Sequence, residues 1–324
     1  MTDKKPSDWQ KTITGEWHGY PSVFETDGTY VGNNKVSRAS EFKDGRTTYW
    51  MHTAFDATGP LAYRFEMGAE GMRFGVIDSD ADRVYCGPDF MGAGRPFGML
   101  VDSNYFSPGW NTDLRTVNLV LPEKKLQVYS SLLYEGPTLV AAFNGIYCVT
   151  QDHDTNPKTQ KQVAKFLERE KSLGKRQFVL PVKQAGDWVG TLEVWDPEQN
   201  KMGEAKVRIE HEPLTLRSSK NTVTITGAIE RQFSYKHSRD HNHHMYAGKE
   251  AVGNGIAYGR FLYSVKHMYG EAYKIKSRDT LLIDEGGALA VVWNFYKSDR
   301  EDFVAFGVLD WVPGDEALNA QYVE

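Results

Sequence analysis

The chain has 324 residues, of which 40% are hydrophobic and 25% charged, and its formal net charge at pH 7 is -5. This length is long for one hydrophobic core and suits two domains of about 150 residues each. The acidic balance, without a long basic block, argues against a dedicated nucleic-acid-binding protein. Aromatic residues make up 13% of the chain, a share that predicts aromatic-lined cavities.

Two features of the sequence bear on the cellular compartment. No stretch reaches the length and hydropathy of a membrane span, and the first ten residues lack the apolar run of a signal peptide. The two cysteines, Cys86 and Cys148, are expected to be reduced thiols rather than a disulfide. We therefore expect a soluble cytoplasmic protein whose partners include neither nucleic acid nor membrane. A homodimer is an oligomeric state that the sequence leaves open.

One segment of the first strand region occurs twice in the chain. Residues 15–36 and 186–207 align without a gap, and further matches follow in both halves. The identical pairs within the segment are Gly15 and Gly186, Trp17 and Trp188, Gly19 and Gly190, Val23 and Val194, Gly32 and Gly203, Lys35 and Lys206, and Val36 and Val207. A co-linear set of this kind predicts two copies of one domain.

The first half continues as short strands bounded by Gly, Pro, Asp and Asn. Segments rich in β-branched and aromatic residues predict these strands. They cover residues 47–55, 61–67, 71–78, 97–105, 115–121, 125–133 and 138–149. The glycine-rich segment 92–98 is predicted to be a loop or bulge between strands, as is its counterpart 253–259. Neither opens a helix, so neither is expected to bind phosphate.

Residues 158–174 interrupt the strand pattern. They hold strong helix formers, with Val163, Phe166, Leu167 and Leu173 near helical spacing and a stop at Gly174. The segment lies between the two copies and is predicted to be a linker helix that docks one barrel on the other. The predicted domains are therefore a first barrel over 1–154, a helical linker over 155–180 and a second barrel over 181–324.

The second half repeats the strand pattern. Its predicted strands cover residues 205–211, 221–229, 260–267, 271–277, 280–286, 289–297 and 302–312. Consecutive strands with no helix between them indicate antiparallel meanders rather than βαβ units. Closure into a barrel would remove the exposed edges of so long a sheet. The expected fold class is all-β, with two tandem antiparallel barrels joined by the linker helix.

The motif G-[DE]-W-x-G at the start of each copy resembles the first strand of the calycin superfamily, the lipocalin-like and fatty-acid-binding-like barrels. The stretch SDWQKTITGEWHGYPSVFETDG also resembles the start of cyanobacterial-type calycin domains of unknown function. The two-barrel layout is similar to hydroxyneurosporene-hydratase-like and Diels–Alderase-like double calycins. The resemblance implies barrels with an apolar ligand cavity, which serve as carriers, haem sensors or enzymes such as cyclases, isomerases and lyases.

The first copy offers one candidate catalytic constellation. Asp102 lies among aromatic residues, His52 shares a predicted strand face with Trp50, and Arg64 interrupts an apolar run. A charge inside a small barrel is costly unless it is paired, so an Asp102–Arg64 or Asp102–His52 pair would mark a site. His52 and Asp102 would accept protons, Arg64 would stabilise an anion or enolate, and Tyr105 would donate. Alternatively, these polar groups face water, because strand alternation does not identify the inner face.

The aromatic residues of the first copy predict its substrate-binding wall. The candidates are Trp50, Tyr63, Tyr85, Phe90, Phe97, Trp110 and Tyr134. A pocket of this composition suits an apolar, aromatic small molecule.

The second copy contains a histidine cluster in the segment YKHSRDHNHHMY. If this segment is one extended strand, His237, His241 and His243 share a face and His244 points the other way, a geometry that could hold zinc or haem. A further ligand would come from His211, Asp240 or His267. Alternatively, the segment is a polar hairpin tip that binds nothing, or a histidine at the barrel mouth acts as a general base. The first copy has no histidine at the matching place, so a metal would belong to one barrel.

Three functions follow. The preferred one is a cofactor-independent lyase, isomerase or cyclase that acts by acid–base catalysis on an apolar, aromatic small molecule in a barrel cavity. The absence of a nucleotide or redox motif from the sequence favours this reaction class. The second is a carrier that binds the same kind of ligand without turnover. The third is a zinc or haem site at the histidine cluster. Divergence between the two copies favours the enzyme, because a carrier could keep two equivalent cavities.

Overall fold

The computed structural model of the chain describes residues 8–43, 46–58, 72–78, 83–88, 90–109, 111–176, 184–270, 272–282 and 287–317. The chain divides into two compact units, Met1–Arg176 and Gln177–Glu324, and the division lies inside the segment predicted as the linker. Nearly all of the described secondary structure is antiparallel strand, which confirms the prediction of an all-β protein.

The first unit is a short helix followed by an antiparallel sheet. Helix α1 covers Asp8–Ile13. The strands are β1 (Gly15–Gly19), β2 (Ser22–Phe24), β3 (Tyr30–Lys43), β4 (Arg46–Ala57), β5 (Met72–Asp78), β6 (Arg83–Cys86), β7 (Met91–Phe97), β8 (Leu100–Ser107), β9 (Thr112–Leu121), β10 (Leu126–Glu135) and β11 (Thr138–Thr150). From β3 to β11 each strand pairs with the next, and both β1 and β2 pair with β3 and β11. A 3₁₀ turn over Pro122–Lys124 joins β9 to β10.

Helix α1 closes on the core of the first unit through its apolar side. Trp9 and Ile13 are buried there with Trp17, and the Trp17 indole Nε1 donates to the Ile13 carbonyl at 2.7 Å. The first-strand tryptophan therefore packs against the sheet and also fixes the end of the helix.

The long helix lies between the strands of the two units in sequence and belongs to the first unit. Helix α2 covers Pro157–Leu173, close to the predicted 158–174, and packs against β1 and β11. Asn156 caps it, because its side-chain oxygen accepts from the backbone N–H of Lys158 at 3.0 Å. No helix among the described residues combines the length and apolar character needed to cross a membrane.

The second unit is a closed antiparallel barrel of ten strands among the described residues. The strands are β12 (Gln184–Trp195), β13 (Lys201–Thr215), β14 (Ser218–Gly227), β15 (Arg231–Asp240), β16 (His243–Ala247), β17 (Ala251–Tyr258), β18 (Phe261–Met268), β19 (Tyr273–Leu281), β20 (Ala288–Lys297) and β21 (Arg300–Ala317). Alternate residues face inward, and a continuous apolar cluster around Trp188 fills much of the interior. The prediction of a closed barrel is confirmed for this unit.

Each unit carries a bulge at the same place in the repeated segment. Val23 pairs with Gly32 before the β2–β3 register shifts, and Val194 pairs with Gly203 before the β12–β13 register shifts. Both glycines have positive φ, 154° at Gly32 and 141° at Gly203. The bulge therefore requires glycine at this position, since other residues are strained there.

Apart from their last residues, Gly98 and Gly259, which lie in turns, the two glycine-rich segments belong to strands β7 and β17. The prediction that they connect strands was therefore wrong for most of each segment, where neighbouring strands approach closely. A Cβ on Gly92 would lie 2.4 Å from the Asn104 carbonyl oxygen, and one on Gly253 would lie 2.1 Å from that of Val265. Glycines are read as turn signals in a sequence, but here they allow close packing of backbones.

Candidate functional site

The interior of the second barrel holds a cavity of about 50 Å³. Its wall is largely aromatic and aliphatic, and five polar side chains interrupt it. The aromatic members are Trp188, Phe233, Tyr235, Tyr246 and Trp293. The polar members are His211, Asn221, His237, Lys266 and Asp279. A few convergent polar groups in an apolar wall are typical of a ligand site.

Lys266 and Asp279 are opposite charges inside the barrel that do not touch. The Lys266 ammonium donates to Ser264 Oγ at 3.0 Å and to Ser277 Oγ at 3.2 Å, and these hydroxyl oxygens lie 2.6 Å apart. Asp279 accepts from the Trp293 indole N–H at 2.9 Å, and the nearby Ser277 side chain helps to lower the pKa of this carboxyl. Ser277 is therefore adjacent to both charges.

Strand register explains why this polar chain forms. Ser264 on β18 is the direct cross-strand partner of Ser277 on β19, which in turn pairs with Trp293 on β20. Lys266 and Asp279 lie two residues from these serines, so alternation places all five side chains on the inner face.

Burial shifts the pKa values of both groups in the direction that favours their neutral forms. Desolvation lowers the pKa of Lys266, and the nearby Asp279 carboxylate opposes this shift. Desolvation likewise raises the pKa of Asp279, and the Lys266 ammonium and the Trp293 and Ser277 hydrogen bonds oppose it. Each group therefore supports the ionised form of the other.

A histidine pair lies beside the lysine. His237 Nε2 and His244 Nδ1 are 2.8 Å apart, and both rings are buried. Desolvation lowers the pKa of His237 well below its usual value and that of His244 to about 3, so both rings are neutral at pH 7. The Tyr246 ring stacks on the His237 ring, with 4.7 Å between the centroids. The Lys266 ammonium lies 4.5 Å from the centroid of the Tyr246 ring. The cavity thus has a cation and a neutral imidazole next to one aromatic face.

The other polar groups of the wall belong to a second hydrogen-bonded chain. His211 Nδ1 lies 3.0 Å from Asn221 Oδ1, and Asn221 Nδ2 donates to Ser219 Oγ at 2.9 Å. Trp188 lines the same cavity, and its buried indole Nε1 has no hydrogen-bond partner among the described residues. A buried donor without an acceptor in a cavity wall suits a ligand oxygen or a water molecule.

The predicted metal ligands His237, His241 and His243 are not brought together. A turn at His241, where φ is 51°, separates β15 from β16 and reverses the chain. His237 and His244 consequently face the barrel interior, whereas His241 and His243 are exposed. The prediction that these histidines share a face required one extended strand, and the turn removes that condition. The alternative of a hairpin tip describes the segment around His241.

The predicted catalytic residues of the first unit are also dispersed. His52 is exposed on β4, and Asp102 is partly exposed on β8, where its carboxylate lies 3.7 Å from the Arg95 guanidinium. Tyr105, on the opposite face of β8, packs against the core with Tyr85. Arg64 lies outside the described residues. His52 and Asp102 therefore do not share the interior with Tyr105.

The predicted aromatic wall of the first copy is partly interior. Tyr85 and Phe90 pack with Tyr105 in the core, and the Tyr85 hydroxyl lies 3.0 Å from Ser103 Oγ. Phe97 is buried beneath the Arg95 guanidinium, Trp50 is half-buried on the same face of β4 as His52, and Tyr134 lies 4.3 Å below the Arg115 guanidinium. Tyr63 and Trp110 lie outside the described residues.

Sequence reasoning missed Lys266, Asp279 and the two serines that connect them. A signal was present, because Ser264 and Lys266, and likewise Ser277 and Asp279, are polar pairs two residues apart on otherwise apolar strand faces. Neighbouring interruptions on adjacent strands would have predicted a buried polar cluster.

A second titratable cluster lies in the first unit and was also missed. Glu16, His18 and His153 bring their side-chain oxygen and nitrogen donors within 4.8 Å of one another, and no other such group of three occurs within the described ranges. The imidazole rings of His18 and His153 are 4.2 Å apart. Burial, followed by His153, lowers the pKa of His18 to about 4.

Comparison with known proteins finds a similar fold but gives no information on the activity. No protein-family model and no curated protein sequence matches the chain. The chain resembles a crystal structure of a protein of unknown function from the DUF3598 family of Nostoc punctiforme, with a TM-score of 0.58, 9% identity, and coverage of 96% of this chain and 100% of that one. At this identity the likeness supports the fold alone.

Two further solved structures match over similar lengths. A putative outer membrane protein from Bacteroides fragilis has a TM-score of 0.24 and 9% identity, and the match covers 94% of this chain and 99% of that one. Isotype 1 transferrin binding protein B from serogroup B Neisseria meningitidis has a TM-score of 0.27 and 5% identity, with coverage of 93% and 77%. At these TM-scores neither match carries an argument.

Proposed function

We propose that the second barrel binds one small, partly aromatic molecule and transfers a proton to or from it, as a cofactor-independent isomerase or lyase. The observation that carries this proposal is the buried Lys266–Ser277–Asp279 chain in the wall of the cavity. A buried charge pair without direct contact is a poor way to stabilise a fold. Perturbed charges that line a cavity are typical of functional sites. The proposal keeps the acid–base chemistry expected from the sequence and moves it to the second barrel.

Each polar group has a role that follows from its surroundings. The Lys266 ammonium would bind an oxygen of the ligand and stabilise negative charge that develops there, and Asp279 keeps the lysine charged. Neutral His237 can accept a proton, and His244 holds its ring in place through the 2.8 Å contact. The Tyr246 face would stack on a planar ligand. This arrangement suits proton abstraction next to a carbonyl or from a phenol-like hydroxyl.

The size and polarity of the cavity limit the ligand. A cavity of about 50 Å³ is small for a lipid or a polyene. The Trp188 N–H, which has no acceptor in the part of the chain that the structure describes, and the Lys266 ammonium both favour a ligand with oxygen acceptors. We therefore narrow the expected apolar substrate to a compact ring with one or two oxygen atoms.

A phenol whose absorbance changes on ionisation tests the site directly. 4-Nitrophenol should bind to the full-length protein as its phenolate, because Lys266 stabilises the anion, and the absorbance should shift accordingly. Lys266→Met should abolish the shift. Lys276→Met is the matched control, because Lys276 also lies 4.5 Å from a tyrosine ring, that of Tyr296, but on the outer face of the neighbouring strand β19. Loss of the shift in both variants, or in neither, would contradict the proposal.

A carrier without turnover is the second candidate, and the aromatic share of the wall favours it. The same cavity would then hold its ligand by stacking and hydrogen bonding alone. His237→Asn separates the two functions, since it removes the proposed base and leaves a polar side chain. If the protein is an enzyme, the wild type should exchange the proton on the ligand carbon next to the oxygen-bearing group. The variant should lose this exchange and still bind 4-nitrophenol. If it is a carrier, the wild type should show no such exchange.

The matching bulges of the two units support a common origin for them. Val23 with Gly32 and Val194 with Gly203 fall on the residues aligned in the repeated segment. A tyrosine and a serine on strands separated by one intervening strand also recur at equal spacing, since Tyr85 and Ser103 correspond to Tyr246 and Ser264. We infer that the two units are copies of one calycin-like barrel, of which the second carries the site.

A further inference from the structure

Three side chains of the first unit converge on the outer face of its sheet. Alternation along β1 places Glu16 and His18 on the face opposite Trp17, which packs in the core. Glu16 pairs with Thr150 at the end of β11, and the chain that continues beyond Thr150 brings His153 alongside. We propose that Glu16, His18 and His153 form a binding site for a divalent first-row transition-metal ion, with zinc as the test case.

The distances between donor atoms fit a shared ion. Glu16 Oε2 lies 3.8 Å from His18 Nε2 and 3.7 Å from His153 Nδ1. Two ligands about 2.0–2.1 Å from a tetrahedral zinc ion are roughly 3.3 Å apart. Small side-chain rotations would therefore close the site without movement of the strands.

The chemistry of the donor set also fits. Two imidazoles and one carboxylate hold catalytic zinc and non-haem iron in other proteins. Glu16 Oε2 is buried and accepts no hydrogen bond among the described residues. A buried carboxylate oxygen without a donor requires an explanation, and an ion that lies between it and two imidazole nitrogens supplies one.

The loop that carries His153 is held in place before any ion binds. The Asp152 carboxylate accepts from Asn156 Nδ2 at 2.6 Å and from Thr159 Oγ1 at 2.9 Å, so the loop is fastened to the start of α2. Binding would therefore cost little ordering of the chain. The carboxylate of Asp154 lies 3.4 Å from His153 Nδ1 and adds negative charge near the site.

The side chains of His153 and Glu16 are 26% and 24% exposed, which leaves the site open on one side. An ion can enter from solvent and keep a water ligand in its remaining position. An open coordination position distinguishes reactive metal sites from purely structural ones.

The second unit shows that the fold does not require these histidines. The aligned positions on β12 are Asp187 and Val189, and Asp187 pairs with Arg208 at 2.8 Å. A carboxylate at this place can thus be neutralised by an arginine. In the first unit two imidazoles take the place of the arginine, and they are metal ligands where arginine is not.

Calorimetric titration of the full-length, metal-stripped protein with zinc chloride tests the proposal. We expect one equivalent of zinc to bind. His153→Ala and Glu16→Gln should each weaken binding by at least about tenfold, because each removes one ligand. His241→Ala is the control, since His241 is an exposed histidine paired with its neighbouring Asp240 at 2.9 Å, as His153 is with Asp154.

Cobalt(II) supplies a second readout that separates ligation from a change in folding. The wild type and the control should give the visible absorption of a four- or five-coordinate ion, and the two site variants should lose it while their far-ultraviolet circular dichroism stays unchanged. Absence of zinc binding to the wild type, or unchanged affinity in both site variants, would overturn the proposal. The site does not rest on the function proposed for the second barrel, and 4-nitrophenol binding is independent of it.

Discussion

The side chains of Lys266 and Asp279 show how a buried pair shapes both stability and function. Each is less than one-tenth exposed, and the charge of each opposes the pKa shift that burial causes in the other. Removal of one partner leaves the other charge without compensation in a medium of low dielectric constant. Replacement of both removes the problem together with the proposed chemistry.

The first prediction concerns this pair. Lys266→Met alone and Asp279→Asn alone should each lower the free energy of unfolding by about 3 kcal/mol, because each leaves a buried polar or charged group without its partner. The double variant should lie within about 1 kcal/mol of the wild type and still fail to bind 4-nitrophenol. Urea denaturation, monitored by circular dichroism, gives the free energies of unfolding of the wild type, the two single variants and the double variant. Additive losses in the double variant would show that the two groups are not coupled.

The second prediction concerns acid sensitivity at His244. Burial first, then Arg239 and Lys266, lower the pKa of this ring from 6.5 to about 3 in the folded protein. Between these two pH values the unfolded chain binds a proton that the folded chain does not, so stability is present above pH 6.5 and falls as the pH drops toward 3.

His244→Asn should reduce that loss. It removes the titrating ring, so the fall in the free energy of unfolding between about pH 5.5 and 4 should be shallower by about 1.4 kcal/mol per pH unit. Urea denaturation at a series of pH values gives the slopes. His241→Asn, at an exposed ring, should keep the wild-type slope. Equal slopes for the His244 variant and the wild type would mean that His244 is protonated in the folded state.

At the scale of strands and helices, the bulge glycines control how each first hairpin is built. A Cβ on Gly32 would lie 2.1 Å from the Asp56 carbonyl oxygen, which is backbone of the neighbouring strand. A Cβ on Gly203 would meet only the Ala228 methyl group at 3.3 Å. The two positions share positive φ, but only the first is also blocked by backbone.

The third prediction follows from this difference. Gly203→Ala should cost about 1–2 kcal/mol of unfolding free energy, the strain of a side chain at positive φ. Gly32→Ala should cost clearly more, because β4 must move as well. Chemical denaturation of the two variants side by side gives the comparison, and equal losses would show that the β3–β4 contact adapts freely.

Elements were predictable from sequence to different degrees. Helix α2 has strong helix formers, a Gly stop and no competing strand pattern, so its limits were found within one residue. Strands β7 and β17 were predicted wrongly, since their alternating glycines resemble turn signals. The close contact with neighbouring strands that requires these glycines involves residues distant in sequence, so the local pattern does not reveal it. The predicted shared face of His237, His241 and His243 required one extended strand, and the two-residue turn in this segment changes which side chains point inward.

At the scale of the whole molecule, the chain consists of two units with their own cores. Every buried residue of the cluster around Trp188 belongs to the second unit, and every one around Trp17 belongs to the first. A unit that closes its own sheet and buries its own core should fold without the rest of the chain.

The fourth prediction is therefore that residues 177–324, expressed alone, unfold cooperatively on heating, with the same cooperativity by tryptophan fluorescence and by circular dichroism. Residues 1–176 provide the matching experiment. A fragment that binds a hydrophobic dye and lacks a cooperative transition would show that the second core is incomplete without the first unit.

The sequence alone determined the all-β class, the helix between the two halves and the repeated segment, because each of these rests on local periodicity or on direct identity between residues. It also led to the prediction of acid–base groups among aromatic rings in a cavity, which it placed in the first copy. Only the tertiary structure decided which side chains meet. Lys266, Ser277 and Asp279 become neighbours through strand register, and Glu16 meets His153 through the pairing of β1 with β11. Register and closure join residues far apart in the chain, and no local pattern specifies them.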